Sequence, residues 1–259
     1  MQREVLAERV AGEIRQRGEE GFDVSAIREK YPDPSGLSQA DLEVVYEKLT
    51  QVEMRADFPY VEPSDWDGIV AAAPGPLDDM DTDLVDGDLF DRLHGAWLGR
   101  CVGCMLGKPY EGLNRDQIAL WLKSADAYPL TDYFTDLDVT SDTPSWLVKR
   151  LSLQGRISRA ARNTNIDYPL VWLDFAEMHG LTFTTRNIAE ALTDSYGIVS
   201  PETAACDNPN RESIAAMMRA DVWAFVYPGR PGKATELVFR DALCTHTKNG
   251  IYGELFAAA

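Results

Sequence analysis

Glu111 closes a run in which glycine recurs at every fourth position, Gly95-Ala-Trp-Leu-Gly99-Arg-Cys-Val-Gly103-Cys-Met-Leu-Gly107-Lys-Pro-Tyr-Glu111. In a helix this spacing leaves one edge of bare backbone with a carboxylate at its end. Each glycine costs about 1 kcal/mol of helix propensity relative to alanine. The ladder therefore predicts an offsetting gain, the close approach of another helix or of a ligand. Two readings follow. Either the stripe serves tight packing alone, or the packed helix also delivers Glu111 to a site where a carboxylate orients water or holds a cation. Arg100 and Lys108 interrupt the run, so it is no membrane dimer motif.

Cys101 and Cys104 lie in the same run with two residues between them, and Cys244 with His246 would complete a four-ligand zinc set. Their mid-helix placement favours packing, because zinc and thiol-redox pairs sit on knuckles or at helix starts. The acidic stretch from Asp78 to Asp91 fails as a calcium loop. Asp81, Asp83 and Asp86-Gly87 are out of register by one, and no glutamate closes the loop. It reads as a solvated acidic lead into a helix N-terminus. No serine-hydrolase elbow and no phosphate-binding P-loop is present.

The elements that must position these groups are helices. Leu6, Val10 and Ile14 form a four-residue stripe in residues 1–17. Ser38 is a candidate N-cap with Asp41 at N3, and Leu37 with Leu42 fit a hydrophobic staple. The apolar face continues through Val45, Tyr46, Leu49 and Val52. Residues 1–56 thus read as a small helical extension, and 57–87, with Pro59, Pro63, Pro74, Gly75 and Pro76, as a linker with a turn of helix near Asp65–Val70. Beyond Asp88, helical stretches are predicted at 88–106, 114–123, 167–179, 185–195, 210–226, 231–246 and 251–259. No stretch alternates with period 2, so the fold class is all-α.

A formal net charge of −17 over 259 residues argues against a general nucleic-acid surface. It leaves room for a phosphate-bearing small ligand, which needs only local N–H groups or a cation. No run reaches the roughly 18 apolar residues of a membrane span. Four cysteines in a chain this long make no disulfide framework, and no signal peptide opens it, so a cytoplasmic protein is expected.

The ladder resembles the first core helix of the ADP-ribosylglycohydrolase family, in particular its larger bacterial members. Further segments resemble the same family in the same order: Tyr60-Val-Glu-Pro-Ser-Asp65, Tyr128-Pro-Leu-Thr-Asp-Tyr133, Asn165-Ile-Asp-Tyr168 and Phe183-Thr-Thr185, then Pro201-Glu-Thr-Ala204, Asn208-Pro209, Met218-Arg-Ala-Asp221 and Pro228-Gly229. The last is Arg240-Asp-Ala-Leu-Cys-Thr-His-Thr-Lys-Asn-Gly-Ile-Tyr-Gly-Glu254. The resemblance implies a multi-helix orthogonal bundle over residues 88–259, and hydrolysis of the glycosidic bond between ADP-ribose and an acceptor by a Mg²⁺-assisted water. Hard divalent cations want oxygen ligands, and a metal pair can polarise that water.

Carried over residue by residue, the resemblance makes Glu111 the metal- and water-orienting carboxylate. It places the family's hydroxyl-and-carboxylate cluster on Asn163-Thr164-Asn165, where two amides and a hydroxyl stand in for negative charge. A register slip would bring in Asp167; otherwise that residue favours a helix N-terminus. Ser213, Ile214 and Ala215 match the segment bringing backbone near ADP-ribose, with helix packing as the alternative. His246 matches a histidine near the cleft, with a buried, hydrogen-bonded helix position as the alternative. Arg219 and Asp221 read as structural ion-pair residues. Two departures stand out. The passage from the helix after Thr185 to Pro201, through Gly197-Ile-Val-Ser200, is short. The chain also stops at Leu255-Phe-Ala-Ala-Ala259, before the family's second acidic cluster. The expectation is a C-terminally shortened member, either an enzyme or a non-catalytic binder or remnant, with a possible second chain over its apolar end.

Overall fold

The computed structural model describes residues 3–80, 85–134, 152–160, 162–196 and 200–259. Twelve α-helices run through them: α1 Arg3–Glu19, α2 Ser25–Lys30, α3 Gln39–Thr50, α4 Trp66–Ala72, α5 Asp86–Gly107, α6 Arg115–Ser124, α7 Thr164–His179, α8 Thr185–Tyr196, α9 Pro201–Asp207, α10 Ala220–Phe225, α11 Pro231–Ala242 and α12 Lys248–Ala258. No strand occurs among the described residues beyond an isolated bridge between Phe22 and Met54, so the chain is all-α. None of these helices is long and apolar enough to cross a membrane. The chain divides into one unit of Met1–Met80 with Phe175–Ala259 and another of Asp81–Asp174.

In the first unit, α1 and α3 join through the predicted stripe. Leu6, Val10 and Ile14 meet Leu42, Val45 and Leu49 in a buried cluster, with Leu37 packed against it. Ser38 caps α3, its hydroxyl accepting from the Asp41 amide at 3.2 Å. Gly21 has φ +89°, and a Cβ there would meet the Phe58 ring at 2.3 Å, so only glycine lets the chain after α1 turn under Phe58. Residues 62–72 lie against the C-terminal helices. Tyr252 donates to the Pro63 carbonyl at 2.5 Å, Lys248 N to Ser64 Oγ at 3.1 Å, and Trp66 packs on Phe239. Ala216, Ala242 and Ile251 form the adjoining core, with Ile69 and Phe239 at its edge.

In the second unit, Asn114 and Gln117 close a reciprocal capping box at the start of α6. Leu122, Phe134 and Leu153 form a small core with Tyr110 and Trp121.

Two predicted helices are cut short. The stretch expected at 210–226 is a turn, a 3-10 segment Ala216–Arg219 and then α10. The Arg211 carbonyl, which a continuous helix would hold within its own ladder, accepts instead from Thr247 N at 3.0 Å. The helix expected to reach 246 stops at Ala242, and Asn208 Nδ2 takes the Thr245 carbonyl at 2.8 Å. In both places tertiary hydrogen bonds outcompete local periodicity. A further short helix, α9, falls outside the predicted stretches; Ser200 caps it reciprocally with Thr203 and Pro201 occupies its first turn. Residues 197–199 and the Asp81–Asp83 part of the acidic run lie outside the described residues.

Candidate functional site

The glycine ladder is α5. Among the described residues of its own unit, nothing comes within 4 Å of where a Cβ would stand on Gly95, Gly99, Gly103 or Gly107. The tight helix approach expected of the stripe is not found there. Cys101 and Cys104 are half-buried on this helix. Below the ladder, the 3-10 turn Lys108–Tyr110 tucks Pro109 inside and brings out Glu111, whose side chain is 53% exposed and paired with Lys108 Nζ at 2.9 Å.

Asn163 starts α7. Its backbone carbonyl accepts from Ile166 N and Asp167 N, each at 2.8 Å. Its side-chain Oδ1 accepts from Asn165 N at 2.8 Å and Asn165 Nδ2 at 3.0 Å. Thr164 is the first helical residue. From α5, Arg100 Nε donates to the Asn165 carbonyl at 2.5 Å, so the ladder helix holds the start of α7. Asp167 receives Arg162 Nη2 at 3.0 Å and Nε at 3.2 Å.

This donor set does not fit a magnesium pair. Magnesium asks for near-octahedral oxygen ligands and usually anionic ones. Asn163 Oδ1 is committed to its own helix start, and the carboxylates of Glu111 and Asp167 face Lys108 and Arg162, three and five residues before them. Among the described residues no group of three or more His, Cys, Asp or Glu converges as metal ligands.

Ser213, Ile214, Ala215 and His246 belong to the first unit. Ser213–Ala215 is the tip of the turn that replaces the predicted helix. Ser213 Oγ accepts from Ala215 N at 3.3 Å, and Ile214 is 76% exposed. Behind it, Arg211 is buried, and its carbonyl bond to Thr247 N ties the turn to the residue after His246. A Cβ on Gly250 would stand 2.5 Å from that carbonyl and 2.8 Å from the His246 ring, so glycine there lets α12 approach both.

His246 is buried. Its Nδ1 lies 2.8 Å from Thr245 Oγ1, which already accepts from Arg219 Nη2 at 3.0 Å. Thr245 Oγ1 also donates to the Ala242 carbonyl at 3.4 Å, so its contact with Nδ1 fits either neutral tautomer of the ring. Nε2 has no partner among the described residues. Burial, then the Arg219 charge, lowers the His246 pKa to about 3, so the ring is neutral.

Arg219 is the centre of a buried polar cluster. It donates to Asp241 Oδ1 at 2.8 Å, Trp223 Nε1 donates to Asp241 Oδ2 at 2.8 Å, and Glu254 Oε2 is 3.9 Å from Arg219 Nη2. The structural ion-pair role expected of Arg219 is seen, with Asp241 as its partner. The signal for Arg211, Asp241 and Glu254 was absent from local sequence, because their partners are remote or on separate helices. An open cavity of about 580 Å³ lies elsewhere in this unit, between Phe183, Thr185, Tyr227, Lys233 and Arg240. Arg240 there donates to the Phe183 carbonyl at 3.3 Å.

No curated protein and no solved structure matches the chain. A family model described as ADP-ribosylglycohydrolase matches residues 86–259, from the first turn of the ladder helix through α12. With two thirds of its residues inside that match, and with an all-α architecture, this chain belongs to the ADP-ribosylglycohydrolase family.

Proposed function

We propose that the chain recognises ADP-ribose or an ADP-ribosylated molecule and does not cleave it through a magnesium-assisted water. Family membership supplies the ligand class. The observation that carries the rest is Asn163, whose side-chain oxygen caps its own helix by accepting from Asn165 at 2.8 Å and 3.0 Å. A neutral Asn163-Thr164-Asn165 cluster supplies no negative charge to bind a dication, and the carboxylates of Glu111 and Asp167 are paired with Lys108 and Arg162. For ligand contact the proposal uses Ser213, Ile214, Ala215 and the neutral His246. Nε2 of His246 is buried with no partner among the described residues, and Ile214 stands exposed at the tip of the turn.

The test is calorimetric titration of the full chain with ADP-ribose, with and without Mg²⁺. The reading expects binding of equal affinity in both, with no turnover of ADP-ribosylated arginine or serine peptides. It also expects binding to weaken in Ser213→Pro and His246→Ala. Absence of binding by a cooperatively folded sample would sink it.

The hydrolase reading retains one observation in its favour, the carboxylate of Glu111 at the foot of the ladder helix. Magnesium-dependent turnover that disappears in Glu111→Gln would establish that reading in place of the first.

A further inference from the structure

We infer that α1 and the turn that follows it are a positioning arm for the candidate ligand turn: Glu13 and Glu20 grip Arg211 and so set the conformation of Ser213–Ala215. What the turn binds rests on the ADP-ribose reading above; the grip itself does not.

The geometry is unusually complete. A guanidinium has five N–H groups, and all five of Arg211 are used. Nε and Nη2 donate to the two oxygens of Glu20 at 2.7 and 2.6 Å. Nη1 and Nη2 donate to the two oxygens of Glu13 at 2.8 and 3.1 Å. The fifth N–H, on Nη1, goes to the Asn208 carbonyl at 3.1 Å, closing the turn on itself. With Arg211 1% exposed and its donors saturated, it has nothing left for a ligand. Its role is to place its neighbours. Burial opposes charge on Glu20, yet the hydrogen bonds and charge of Arg211 hold its pKa below the usual value, so it stays an anion. Arg17 Nε, 2.8 Å from Glu13, offsets the second negative charge.

Two further contacts join α1 and α3 to residues 206–209, and a third ties Glu212 to α12. Gly12 of α1 accepts Pro209 so closely that a Cβ there would stand 2.8 Å from the proline Cβ. Tyr46 of α3 donates to the Cys206 carbonyl and accepts from Arg9 Nη2 at 2.9 Å. Asn249 Nδ2 bridges Glu62 and Glu212 at 3.0 and 2.8 Å. The α1–α3 pair has its own apolar core and does not need Arg211 to close it. Paired buried ions are in any case a weak source of stability, while they are strong at fixing one geometry. The clamp therefore selects a conformation of residues 206–215, and through the Arg211 carbonyl it reaches Thr247, next to His246.

The test compares wild type with Glu20→Gln and Glu13→Gln in the full chain. Hydrogen exchange is read at residues 208–217 and 245–250, with α11 as internal reference, and ADP-ribose affinity is read by calorimetry. The inference expects exchange in 208–217 to quicken by roughly tenfold or more, the size of one lost charge-assisted hydrogen bond. Protection of Leu237 and Val238 should be unchanged, and affinity should fall. Unchanged exchange in the turn overturns the grip. Faster exchange with unchanged affinity overturns the positioning role. A wild-type chain that binds no ADP-ribose removes that ligand, and the exchange result then decides the grip alone. If a Gln variant fails to fold, Gly12→Ala displaces Pro209 without touching a charge and is read the same way.

Discussion

Asp241 on α11 accepts a hydrogen bond at 2.8 Å from Arg219, and the two side chains are 0% and 5% exposed. The rest of the cluster follows from this pair. Trp223 satisfies the second carboxylate oxygen, and Arg219 reaches on to Thr245 and so to His246. Removing one partner strands the other as a buried, uncompensated charge. Arg219→Met is expected to destabilise the chain by about 3–5 kcal/mol, measured by urea unfolding. A loss below about 1 kcal/mol would mean that water or a neighbour replaces the guanidinium.

The acid limb of stability follows from His246. Its pKa is lowered to about 3 by burial and by Arg219, against 6.5 for the free side chain. As pH falls from 6.5 toward about 3 the unfolded chain takes a proton that the native chain refuses. Stability should therefore drop in this interval by about 1.4 kcal/mol per pH unit from this group alone. His246→Gln should flatten that part of the profile, seen as a shallower fall of denaturation midpoint between pH 6 and about 4. An unchanged slope would assign the acid loss to other groups.

Glu254 acts in the opposite direction. Burial, then the negative charge of Asp241, holds its pKa well above the usual 4.5. The native chain keeps the proton that the unfolded chain has released. The stabilising contribution is complete below pH 4.5 and is lost as pH rises toward the elevated native value. Glu254→Gln, which keeps the shape and cannot ionise, should gain stability relative to wild type as pH rises from 5 to 8, by about 1 kcal/mol or more. Parallel profiles for the two proteins would show that Glu254 is not protonated in the fold.

Much of the scaffold was written locally. Ser38 with Asp41 and the Leu6, Val10 and Ile14 stripe are short-range signals, and the helices they predict are present. Even the short α9 carries a local cap in Ser200-Pro201 and Thr203. What could not be read was long-range. Arg211 meets Glu13 across 198 positions and Glu20 across 191, and that attraction bends a stretch whose own periodicity reads as helix. The candidate site divides in the same way. Glu111 is marked by the ladder it ends and the Asn163 cluster only by family resemblance, whereas Arg100, whose bond to the Asn165 carbonyl holds that cluster, gives no signal of its own.

The ladder itself gives the last prediction. Glycine in an exposed helix interior is a cost without a return, about 1 kcal/mol against alanine. Gly99 and Gly103 are exposed, and within their unit no described residue would touch an added methyl group. If the stripe serves nothing, Gly99→Ala and Gly103→Ala should each slow hydrogen exchange across α5 by about fivefold and leave ADP-ribose affinity alone. If the stripe is a surface that bare backbone keeps open for a ligand, the same methyl groups should weaken ADP-ribose binding while the helix still gains protection. A fall in protection would point to a third case, in which backbone packs so closely against the stripe that a methyl group forces it apart. The pair of readouts separates propensity from occupancy because helix propensity acts on α5 alone, whereas a steric clash is felt by whatever lies against it.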